Sequence, residues 1–206
     1  MTKRVSCGFS LRLSAELDDN PAHMDQFMLG VDNCSLISAD TRVWLVPEDV
    51  DDLIQDAKQP FWNPLGLSRD IDSLLHACRE RNIPTAGLSP VCLTVSEDVL
   101  AALIRRSGPG YFDNAPRESD LLSAGWRFLG IDTVELNGLT SGLKGIGYKE
   151  PSWSQLRAQF VAALNEVGLF SDEATAAEFA KVRGVEIPSH TPFDVVGVLV
   201  HDPISQ

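Results

Sequence analysis

SAGWRFLGIDTVELNGLTSGLKGIGY, residues 123–148, is the stretch on which the reading of this chain turns. Trp126, Phe128, Ile131, Val134 and Leu136 stand among polar residues behind Gly125, which is the composition of a central strand. Gly138, Gly142, Gly145 and Gly147 then fall within eleven residues, so the backbone after the strand must turn tightly or take positive φ. A strand that runs into a glycine-rich loop is a common place for a site. Nothing in this one names a reaction.

Upstream of it, residues 107–122 mix Pro, Gly, Asn and charge, and read as a connector. Before the connector, Thr94 and Glu97 have the spacing of a capping box for a helix running to Arg106. Ser68 is placed to cap another helix, with Ile71, Leu74, Leu75 and Cys78 on one face. Residues 59–67 form a proline-flanked loop around Phe61 and Trp62. Further back, Arg42–Val46 reads as a short strand, and Pro47 opens a helix that buries Val50, Leu53, Ile54 and Ala57. Its other side carries Glu48, Asp49, Asp51, Asp52 and Asp56 with no base among them. The patch 28–37 is a further candidate strand after the Asp- and Pro-rich loop 16–24. Residues 4–13 alternate strictly, which predicts a strand with Val5, Cys7, Phe9, Leu11 and Leu13 buried and the intervening face wet.

Downstream, Ser152 with Gln155 predicts a helix with a stripe from Leu156 to Val167. Ser171 with Asp172 and Glu173 opens a second helix through Arg183, closed by Gly184. PFDVVGVLVH, residues 192–201, reads as a strand buried on both faces. Strands alternating irregularly with helices predict an α+β chain, a mixed β-sheet flanked by helices. At 206 residues, 44% apolar and 22% charged, one domain over 1–206 is expected, with 107–122 the place of any division into lobes.

The chain carries 29 acids and 17 bases, a net charge of −12, which disfavours direct binding to nucleic acid or to anionic lipid. No apolar run approaches the roughly eighteen residues of a membrane span, and the N-terminal stretch lacks a signal-peptide core, so a cytoplasmic location is expected. Cys7, Cys34, Cys78 and Cys92 stand far apart, and are expected as reduced core residues.

Tests for chemistry return little. GLTSG at 138–142 places Leu139 where a hydrolase elbow needs glycine, and GLKGIG at 142–147 is not a phosphate or dinucleotide loop. His23, His76, His190 and His201 have no evident nucleophile or metal partner. No cofactor and no metal is expected, and no catalytic residue is assigned. Two rival readings stay open: a small-molecule hydrolase or transferase using His190 or His201 near the 138–148 loop, and an adaptor domain whose acidity serves solubility.

The central stretch resembles a motif of bacterial immunity proteins from polymorphic-toxin and contact-dependent growth-inhibition systems. There a "GW-FLG-D-V" strand is followed by a serine-glycine loop and a Gly-Tyr pair. The matching residues are Gly125, Trp126, Phe128, Leu129, Gly130, Asp132, Val134, Ser141, Gly142, Leu143, Gly147 and Tyr148, and the likeness covers about 26 residues. The resemblance implies a non-enzymatic cytosolic protein that binds and neutralises one toxin domain, usually a nuclease. A nuclease must be basic to hold phosphates, so an acidic inhibitor would complement it. Trp126, Phe128 and Ile131 are then expected in the core and Gly142, Gly145 and Gly147 in loop geometry. The expected toxin contacts are Asp49, Asp52 and Asp56, with Asp18, Asp19, Asp113, Glu118 and Asp120.

Overall fold

A computed structural model describes residues 3–16, 36–37, 42–45, 53, 65, 67–108, 110–136, 140–143, 160–186, 188 and 191–205. In chain order these form β1 (Arg4–Glu16), β2 (Leu36–Ile37), β3 (Arg42–Leu45), α1 (Ile71–Glu80), β4 (Ser89–Ser96), α2 (Glu97–Ser107), α3 (Glu118–Ser123), β5 (Arg127–Glu135), β6 (Thr140–Ser141), a 3₁₀ turn (Val161–Ala163), α4 (Glu173–Glu186) and β7 (Asp194–Val200). The class is α+β, as the sequence predicts. Every register described is antiparallel: β1 with β4, β4 with β7, β2 with β3, and β5 with β6. The chain divides into two compact units. The first holds Met1–Leu13, Val46–Phe128 and Gly197–Gln206, the second Ser14–Leu45 and Leu129–Val196. The connector 107–122 lies inside the first.

In the first unit, β1 departs from its expected wet face. Ser6, Ser10 and Arg12 are as buried as Cys7, Phe9 and Leu11. The strand also carries a bulge: Ser6 pairs with Thr94 but Gly8 with Leu93, leaving Cys7 extra. One inserted residue swaps the faces of everything that follows it. Gly8, at φ 144°, supplies a backbone angle that residues with a Cβ rarely take. Arg4 and Ser6 therefore share a face with Thr94 and Cys92, as the Ser6 Oγ to Cys92 Sγ contact of 3.2 Å confirms.

Phe9, Cys92, Leu121, Trp126 and Leu199 form one core cluster, and Leu11, Leu53, Leu74, Ala77, Cys78 and Leu88 another. Phe9 and Trp126 meet edge to face, with centroids 5.5 Å apart. Complete burial of such side chains contributes about 1.5–3 kcal/mol each. Cys7, Cys78 and Cys92 are buried. β4, which holds the middle of this register, is missed by the sequence reading, because Thr94 was assigned to a cap. Both caps lie two residues later than expected. Asp70, not Ser68, accepts from Ser73 N at 2.7 Å to start α1. Ser96, not Thr94, accepts from Val99 N at 3.3 Å to start α2.

In the second unit, Phe160, Phe170 and Phe179 pack against one another edge-on or tilted, with centroids 5.1–6.3 Å apart. Residues 164–170 return along β5, where Ile131 and Phe170 exchange both backbone bonds at 2.9 Å. Asn165 braces this return: its Nδ2 donates to Leu129 O at 2.7 Å and its Oδ1 accepts from Val167 N and Leu169 N. α4 continues past Gly184, which lies within the helix rather than closing it.

Asp172 caps α4 by accepting from Thr175 N at 2.8 Å, and that bond holds its carboxyl below the ordinary range. A depressed folded-state pKa means stability that is present above the unfolded value and lost as pH falls through the folded one. Asp172→Ala is expected to lower the melting temperature at pH 7 and to flatten its fall on acidification below pH ~4. Melting curves at several pH values check this, and an unchanged acid slope counts against it. β7 is buried along its C-terminal five residues, as predicted.

Candidate functional site

β5 is the central strand the sequence proposes. Gly125, at φ 93°, ends the turn after α3, and Trp126 N donates to Leu121 O at 3.1 Å, which starts the strand beneath that helix. Trp126 and Ile131 are buried as expected. Phe128 is not: it is 41% exposed. Burial along β5 sets in only from Gly130, so the first residues of the strand stand in solvent on both faces.

The motif residues Asp132, Ser141 and Gly142 are brought together in the second unit. Asp132 is fully buried, and its Oδ1 accepts from its neighbour Thr133 N at 2.6 Å and from Ser141 Oγ at 2.8 Å. Ser141 Oγ in turn accepts from Leu143 N at 3.1 Å. Arg183, buried at 3% exposure, donates from Nε to Gly142 O at 2.9 Å. A Cβ on Gly142 would meet Thr133 Oγ1 at 2.5 Å, so only glycine lets the turn close against β5. The hydroxyl of Ser141 gives its proton to a carboxylate and its lone pair to the backbone. It fastens a hairpin.

Ser141→Ala leaves Leu143 N and one carboxylate lone pair of Asp132 without this partner, a loss of about 1–3 kcal/mol. Urea unfolding measures it. A variant as stable as the parent counts against this fastening role.

The acids proposed as toxin contacts separate into three groups. Asp18, Asp19, Asp49, Asp52 and Asp56, like Gly147 and Tyr148 of the motif, lie outside the described residues. Asp113 and Asp120 are exposed. Glu118 is engaged inside the first unit: its Oε2 accepts from Thr94 Oγ1 at 2.6 Å and lies 3.4 Å from Arg4 Nε. Arg4 Nη2 also donates to Thr94 O at 2.7 Å. Gly197 makes room, since a Cβ there would fall 3.0–3.1 Å from Arg4 Nε and Glu118 Oε2. This carboxylate neutralises a buried guanidinium.

Other described acids also have local work. Asp72 sits in the first turn of α1 and Arg79 in the last; Glu97 and Asp98 open α2, and Arg105 and Arg106 close it. This order favours each helix through its dipole. Each of these two helices therefore carries acid at one end and base at the other.

His201 packs edge-on to Trp126 with centroids 5.5 Å apart, and His190 lies outside the described residues. Burial pushes the Cys92 thiol well up, so it is no thiolate at neutral pH. A cavity of about 10 Å³ opens between the β1 bulge and Tyr111–Ala115, beside Arg69, whose guanidinium lies 5.3 Å over the Tyr111 ring. It holds about one water. Among the described residues no group of three or more His, Cys, Asp or Glu is placed to hold a metal ion, and no helix is long and apolar enough to cross a membrane. Comparisons with protein-family models, curated proteins and solved structures find no match.

Proposed function

We propose that this chain is a cytoplasmic, non-enzymatic inhibitor that binds one cationic protein domain stoichiometrically, as the immunity proteins it resembles bind their toxins. The observation that carries this reading is where the negative charge lies along the sequence. Residues 16–58 hold eleven acids and two bases, a surplus of nine out of twelve for the whole chain. A surplus gathered in one fifth of a sequence attracts a basic partner more strongly than the same charge evenly spread. A nuclease domain is the partner that fits, because its own substrate is a polyanion.

The test is a pull-down with the domain encoded by the neighbouring upstream gene, followed by association kinetics at rising salt. Replacing Asp18, Asp19, Asp49, Asp52 or Asp56 singly by Asn is expected to slow association a few-fold and to reduce its salt dependence, with little change in dissociation. The absence of any complex with an adjacent toxin, or a complex indifferent to salt and to these changes, sinks the reading.

The presence of both signs on α1 and α2 favours a second reading, an adaptor domain whose acidity keeps it soluble. It expects binding, if any, to survive neutralisation of the 16–58 acids.

A further inference from the structure

We draw no further inference here: the strongest candidate, the exposed apolar turn between α3 and β5 where Leu122 and Phe128 stand in solvent beside the Arg127–Asp202 ion pair, carries nothing because nothing in the structure shows what covers it.

Discussion

Gly130→Ala is expected to lower the unfolding free energy by about 3 kcal/mol, an overpacking cost combined with backbone strain. Gly130 lies in β5 at φ 149°, an angle that side chains rarely adopt. A Cβ there would meet Leu169 Cβ at 2.7 Å, Asn165 Nδ2 at 2.9 Å and the Phe170 carbonyl oxygen at 3.0 Å. None of these is the loose end of a long side chain. Phe170 O is fixed by its bond to Ile131 N, and Asn165 is held at both ends of its amide. Relief therefore requires residues 164–170 to lift from β5, which forfeits the paired backbone bonds as well. Urea denaturation followed by far-UV circular dichroism measures the loss. A variant within about 0.5 kcal/mol of the parent, the range of ordinary surface substitutions, would falsify this account of the glycine.

Glu118→Leu should cost a similar amount, about 3 kcal/mol, for a different reason. Removing one partner of a largely buried pair takes away that counter-ion, and the penalty is the desolvation of what remains. Here that is the Arg4 guanidinium, whose side chain is 5% exposed, together with the Thr94 hydroxyl that loses its acceptor. Combining Arg4→Met with Glu118→Leu is expected to recover most of the loss, because apolar groups of similar size need no counter-ion. The double-mutant cycle decides between two roles for Glu118. If Glu118→Leu alone leaves stability untouched while weakening partner binding, the carboxylate belongs to a docking face and not to the interior.

The sequence located β5, β7, β3 and the first strand, and it placed the helices of 71–80 and 97–107 to within a few residues. These were legible because hydrophobic periodicity and helix-terminal charges act between residues a few positions apart. The 89–96 strand was hidden: SPVCLTVS offers β-branched residues, but a Thr-x-x-Glu spacing at its end competes with them. Ser96, two residues closer to Val99, takes the cap because Thr94 is already committed to the sheet register opposite Ser6.

In the motif, the need for glycine at 142 was readable, whereas the reason for Asp132 and Ser141 was not. Their bond joins residues nine positions apart, and Arg183 comes from 41 positions away. The acids divide along the same line. That residues 16–58 are densely negative is a property of composition and needs no fold. That Glu118 is neutralised by Arg4, and is no free carboxylate, depends on β1 and α3 meeting across 114 positions of chain.

By itself, then, the amino-acid order determined the class of fold, several of its elements but not β4, and the sign and concentration of charge. Only the tertiary structure decided which face of the first strand is which, which glycines cannot carry a side chain, and which carboxylate serves the interior. A period-two pattern specifies alternation but not phase, and the one-residue bulge at Cys7 resets that phase where β1 meets β4.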